Sequence, residues 1–266
     1  MDAPRLLRAT FVHLPGVGPV TEAELWRRGI RDWEELRRAG GTARGGPGLV
    51  AGLDASERAL RESDVAWFGR RLPAREHWRL YPEFRARTAF LDIETTSLSP
   101  YEGIVTVVTV HGGGATRSFV AGDTLEELPA YLRGFPILVT FNGSRFDVPF
   151  LESAFPQFAA PGVHIDLRFL LYRLGLAGGL KRIEMTVGLG DRTGVEGVDG
   201  LQAVRLWQEF RRGHPEALDR LVRYNRADTT NLEPLLELAV RELTARLPLS
   251  DAPPASSALP LAPEAR

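Results

Sequence analysis

The chain has 266 residues, 44% of them apolar and 25% charged, a balance that lets a core be buried without staples and excludes disorder throughout. There is no cysteine, which excludes disulfides and thiolate-held metals, so that any bound metal must be held by oxygen or imidazole. The net charge is −1, yet residues 1–87 carry 16 Arg against 12 acids while the remainder carries 17 basic against 22 acidic residues. A basic anchoring unit joined to an acidic, cation-binding one is one reading of this split, and random variation in surface charge is the other.

The length suits one sizeable α/β domain and a smaller unit. The first residues, MDAPRLLRATFVHL, lack an apolar signal region, and no run of about 18 apolar residues occurs anywhere, so a cytoplasmic protein with no membrane partner is expected. Residues 11–40 read as short helices around a tight turn, with Leu25, Trp26, Ile30, Trp33 and Leu36 at helical spacing. Gly40 to Gly48 carries too many breakers for regular structure and reads as a linker; Ala55 to Arg71 returns to a helical pattern. From Arg87 the texture changes. TAFLDIET, GIVTVVTVHGG and ATRSFVAG have the β-branched richness of neighbouring strands. Asp123–Gly134 then reads as a helix, Pro136–Phe141 as a buried strand and Phe146–Phe155 as a helix broken near Pro149. Beyond Gly200 apolar stripes at helical spacing dominate, and the Pro/Ala/Ser-rich tail from Leu249 reads as disordered. The expected domains are thus 1–86, 87–248 and a tail, 249–266.

Three groups of acids carry the chemistry. Asp92 and Glu94 lie two apart in a strand, so their carboxylates share a face and can share a cation; side by side they repel unless something neutralises them. The other reading is a strand end facing water. Asp147, in LVTFNGSRFDVPFLE, follows an apolar strand that ends at Asn142-Gly143, so it lies at the sheet's carboxyl edge, where open α/β sheets place ligands, or else it caps the following helix. Tyr224 and Asp228, in YNRADTTNL, are four apart on a helix and lie on one face, with Asn225, Ala227 and Thr229 pointing elsewhere. His164 and Asp166 form a further same-face pair, read as a strand or helix end behind the site, and Lys181 and Arg182 read as a solvated face.

In combination, D-x-E in a first strand, N-G-x-x-F-D after a later strand and Y-N-x-x-D in a late helix resemble the DEDDy 3′–5′ exonucleases of the ribonuclease-H-like superfamily, over about residues 88–240. Within that superfamily the stretch from Gly194-Val195-Glu196-Gly197 through Leu206-Trp207 and Gly213 into Tyr224-Asn225 is similar in spacing to YprB-like bacterial proteins. The resemblance implies an α/β fold, a mixed central sheet flanked by helices and preceded by a small helical unit. It also implies two Mg²⁺ or Mn²⁺ ions on Asp92, Glu94, Asp147 and Asp228, with Asp92 bridging and Asp147 acting largely through water. Tyr224 would orient the attacking water. Such oxygen-only sites suit hard cations, and two of them about 3.5–4 Å apart serve both ends of an in-line displacement. Thr95, Asn142 and Phe146 stand beside these acids as candidate contacts to the terminal nucleotide, Phe146 equally as a core residue.

Leu14-Pro15-Gly16-Val17-Gly18-Pro19-Val20-Thr21 resembles a helix-hairpin-helix motif, whose glycine turn (Gly16, Val17, Gly18) would offer backbone amides to a nucleic-acid phosphate. Val20 departs from the basic residue many members carry, and packing alone is the competing role. The expected activity is 3′–5′ exonucleolytic release of 5′-monophosphates from single-stranded or frayed DNA or RNA. An endonuclease of the same fold, or a non-catalytic nucleic-acid-binding module, are the rivals.

Overall fold

The computed structural model describes residues 6–40, 46–189 and 200–249. The spacing at Gly194–Gly197 and the tail beyond residue 249 lie outside them. Internal contacts divide the chain into two compact units, one holding residues up to Arg85 and those from Val240, the other Ala86–Ala239.

The first unit contains α1 (Pro19–Arg27), α2 (Trp33–Arg38), α3 (Gly46–Arg61) and α4 (Val65–Gly69). Leu25, Trp26, Ile30, Trp33 and Leu36 are all buried, as their spacing requires. The segment before the glycine turn is not a helix. Residues 6–14 form successive tight turns, with the amides of Ala9, Thr10 and Leu14 donating to the carbonyls of Leu6, Leu7 and Phe11. Side chains satisfy this backbone instead: Glu22 accepts from the amides of Phe11 and Val12 at 2.7 and 3.2 Å, and the indoles of Trp26 and Trp33 donate to the carbonyls of Ala9 and Thr10 at 3.0 and 2.9 Å. Glu22 is itself buried against Arg79 at 2.9 Å. A buried carboxylate without such partners would be strongly destabilising.

Helix α3 begins within the glycine-rich stretch read as linker. Each interior glycine costs about 1 kcal/mol relative to alanine, but Leu49 and Leu53, one turn apart, are 3% and 0% exposed, and their burial outweighs it. The helical pattern over Ala55–Arg71 is interrupted at Ser63, which has a φ of +54°; the Asp64 side chain then accepts from the Trp67 amide and starts α4.

The second unit runs β1 (Thr88–Thr95), β2 (Val105–Gly112), β3 (Ala115–Val120), α5 (Leu128–Leu132), β4 (Ile137–Thr140), α6 (Asp147–Ala154), β5 (Val163–Asp166), α7 (Leu167–Tyr172), α8 (Leu180–Val187), α9 (Gly200–Arg211), α10 (Pro215–Thr230) and α11 (Leu232–Ala245), whose last turns count with the first unit. The helix expected over Asp123–Gly134 is split into a 3₁₀ turn at Leu125–Glu127 and α5, with Pro129 in the first turn of the latter. Pro149 does not break α6, because it too falls in a first turn, where its missing N–H has no partner to lose.

The sheet has the order β3-β2-β1-β4-β5. β1 pairs antiparallel with β2, and β2 with β3; β4 is parallel to both β1 and β5. It is therefore the mixed sheet flanked by helices that the sequence led us to expect. Its two faces follow the period-two alternation of β1. Ala89, Leu91 and Ile93 pack in a cluster with Leu128, Leu132, Phe150 and Leu151 of α5 and α6. On the opposite face Val107 of β2 packs with Leu206, Trp207, Leu221 and Tyr224 of α9 and α10. Among the described residues no helix is long and apolar enough to cross a membrane.

Candidate active site

Asp92 and Glu94 fall on the face of β1 turned toward α10, opposite Thr109 and Val107 of β2. Helix α10 supplies the third carboxylate. One oxygen each from Asp92, Glu94 and Asp228 lie within 4.8 Å of one another, a spacing that a single cation can bridge. Tyr224, one turn before Asp228, is 6% exposed, and its hydroxyl donates to the Asp228 carboxylate.

Asp147 arrives from the other face, over the carboxyl edge of the sheet. After β4 the chain turns sharply: Asn142 has a φ of +64°, and a Cβ at Gly143 would lie 2.2 Å from Thr140 Oγ1, so only glycine fits. Asp166, at the end of β5, holds this turn, its carboxylate accepting from the Asn142 amide at 2.8 Å, the Ser144 amide at 3.1 Å and the Ser144 hydroxyl at 2.6 Å. The β1–β4 pairing ends at Phe90, and beyond it the Ile93 amide hydrogen-bonds to the Asp147 carboxylate. Asp147 is 3% exposed. It stands outside the three-oxygen set but within electrostatic reach of Asp92 and Glu94.

The electrostatics are those of buried acids crowded together. Burial, and then the charges of Asp147, Asp228 and Glu94, push the Asp92 carboxyl well above its ordinary range, against an opposing hydrogen bond from Asn225. Burial, then Asp228 and Asp147, raises Glu94 to about 8, with Lys181 acting in the opposite sense. Burial raises Asp147 to about 7, with Asp166 adding to the effect. Four acids so placed resist joint ionisation, and a divalent cation removes the conflict. The donors are all hard oxygens, so the set fits Mg²⁺ or Mn²⁺. Tyr224 is displaced upward as well, by burial and then by Asp228 and Glu94, which keeps it a neutral hydrogen-bond donor.

Asn225 does not point elsewhere. Its Nδ2 donates to Asp92 Oδ2 at 2.8 Å, and the residue is fully buried. The signal was in the sequence: Asn225 and Asp228 are three apart, a spacing that shares a helix face as fully as four does. Lys181, read as solvated, has its ammonium 4.7 Å from the centre of the Tyr224 ring. His164 bonds to Thr140 at 2.9 Å and, with Asp166, shapes the turn before Asp147. The remaining candidates have structural partners. The Thr95 hydroxyl donates to the Ser97 carbonyl at 2.6 Å, Asn142 Oδ1 accepts from Arg168 at 2.6 Å, and the half-buried Phe146 lies 4.9 Å from the Phe150 ring and packs on the core. In the first unit Gly16 has a φ of +76°, and both Gly16 and Gly18 have open space where a side chain would be. Val17 is 7% exposed and its amide already donates to the Leu14 carbonyl at 3.1 Å, so that position offers neither side chain nor amide.

A mixed sheet in this order, with three carboxylates meeting on its central strand and a fourth at its carboxyl edge, defines the ribonuclease-H-like class. The RNase_H_2 family model, of the RNase_H superfamily, matches residues 89–240, and the chain belongs to that family. No curated protein sequence matches significantly. Among solved structures it is similar to the family B DNA polymerase of the hyperthermophilic archaeon Pyrobaculum calidifontis (19% identity, TM-score 0.48, 61% of this chain). It is also similar to Brucella melitensis NrnC with bound Mg²⁺ (20% identity, TM-score 0.32, 60% of this chain and 87% of that one). The matched part spans only 26% of the polymerase chain.

Proposed function

We propose that this protein is a metal-dependent 3′–5′ exonuclease of the DEDDy type, YprB-like in its motif spacing. It would hydrolyse single-stranded or frayed DNA or RNA to 5′-monophosphates. The observation that supports this reading best is the meeting of Asp92, Glu94 and Asp228 within 4.8 Å beside Tyr224 and Asp147, since such a cluster of buried acids is costly without cations. Two divalent cations, when bound, would supply charge neutralisation at the attacking and leaving oxygens.

Asp92, Glu94 and Asp228 would hold them, with Asp147 completing the second position largely through water. Asn225 fixes Asp92 by its bond to Oδ2 and so sets which way that carboxylate faces. Tyr224, neutral and anchored to Asp228, would position the attacking water rather than take its proton. The backbone of Gly16 and Gly18, on either side of the buried Val17, would give a second, sequence-independent phosphate contact, although the helix that should precede it is replaced by turns.

The test is product analysis over time on a 5′-labelled single-stranded oligonucleotide, as DNA and as RNA, with Mg²⁺, Mn²⁺ or EDTA. The expected result is a metal-dependent ladder shortening stepwise from the 3′ end, abolished by Asp92→Ala. Internal cuts would make it an endonuclease, and metal-independent binding without cleavage would make it a binding module.

A further inference from the structure

A second feature of the unit that holds the acids has no part in the metal centre. Arg145, Arg168, Phe169, Tyr172, Leu176, Ala177 and Gly178 line an open cavity of about 310 Å³. Phe169 and Tyr172 are three apart on α7, hence on one face, and they are 49% and 71% exposed. Large rings left in water at helical spacing are unusual on a surface with no partner. The Arg145 guanidinium lies 5.8 Å from the centre of the Phe169 ring, and among the described residues no carboxylate lines the groove.

The groove is joined to the acidic site by covalent and hydrogen-bonded links. Arg145 is two residues before Asp147, and Arg168 holds Asn142 of the same turn at 2.6 Å. Gly178, at its other end, precedes α8, which carries Lys181 beside Tyr224. A cluster of acids repels a polyanion, so a strand brought to it needs cationic purchase nearby. Two arginines interleaved with two exposed rings match what a flexible strand offers, phosphates alternating with flat bases.

We propose that this groove is a binding subsite for single-stranded nucleic acid, with bases stacking on Phe169 and Tyr172 and the flanking phosphates pairing with Arg145 and Arg168. The inference rests on the nuclease reading for its choice of ligand, but its test does not depend on cleavage. Fluorescence anisotropy of the full chain in EDTA would compare a labelled oligothymidylate with an abasic strand of equal length. Wild type should prefer the strand with bases. Phe169→Ala with Tyr172→Ala should erase that preference with a loss of about thirtyfold or more, while Tyr172→Trp should restore stacking in the double variant's background at that position. Arg145→Ala should weaken both strands alike and reduce the salt slope by about one. Equal wild-type affinity for the two strands, or alanine variants that bind as wild type does, would overturn the proposal. Failure of the nuclease reading looks different: base-dependent binding with no metal-dependent ladder.

Discussion

Replacing Glu94 with glutamine tests the electrostatic account of the site without any assumption about substrate. Its carboxyl rises from 4.5 to about 8 in the fold, and the residue is only 8% exposed, so solvent screens little of the effect. A raised folded value means that the native state binds the proton more tightly than the unfolded chain does. The resulting stability is full below about pH 4.5 and is lost as pH climbs through about 8. At about 1.4 kcal/mol per pH unit, ionising Glu94 in the metal-free fold costs on the order of 5 kcal/mol. For a chain of this size that is roughly 10 °C in Tm. Asp147, raised to about 7, acts in the same sense. Glu94→Gln should therefore flatten the upper part of the profile, and the variant should melt above wild type in EDTA near pH 8.5. Mg²⁺ or Mn²⁺ should restore wild type there while helping the variant little. Differential scanning fluorimetry across about pH 5–9, with and without metal, reads all of this. A metal-free wild type whose Tm stays flat across that range, or a variant less stable than wild type at pH 8.5, would refute the reasoning.

Asn225→Ala removes the bond that orients Asp92, and metal affinity should fall about 10–100-fold, measured by Mn²⁺ titration; unchanged affinity would make Asn225 a packing residue. Tyr224→Phe keeps the ring under Lys181 but deletes the hydroxyl bonded to Asp228. Cleavage should slow by about 10²-fold, the scale of a lost positioning group, with Mn²⁺ affinity little changed. Gly143→Ala drives a Cβ to 2.2 Å from Thr140 Oγ1 and should lower Tm sharply, whereas Gly18→Ala, which meets nothing, should leave Tm nearly unchanged. If the hairpin backbone contacts phosphate, Gly16→Ala and Gly18→Ala should weaken nucleic-acid binding; unchanged affinity would reduce the turn to packing.

Strand alternation and helix spacing are local periodicities, and what depends on them was legible in the sequence. Asp92 and Glu94 share a face because successive strand residues alternate, and Tyr224 faces Asp228 because four residues make about one helical turn. Where burial decides, local propensity misleads. Leu49 and Leu53 carry α3 back through glycines that read as linker, and Glu22, Trp26 and Trp33 replace the backbone bonds of a helix that never forms before Gly16. The same applies to single residues at the site. Asp166 looks like an incidental acid until β5 is set beside β4 and its carboxylate meets the Asn142 turn. Lys181 looks solvated until α8 is placed against Tyr224, and Asn225 acquires its role only when α10 crosses β1 at Asp92, 133 residues away in sequence. The sequence by itself determined which side chains each element presents, because that depends on backbone period alone. Which of them meet, and therefore which charges must be neutralised together, was decided by the tertiary packing of the helices on the two faces of the sheet.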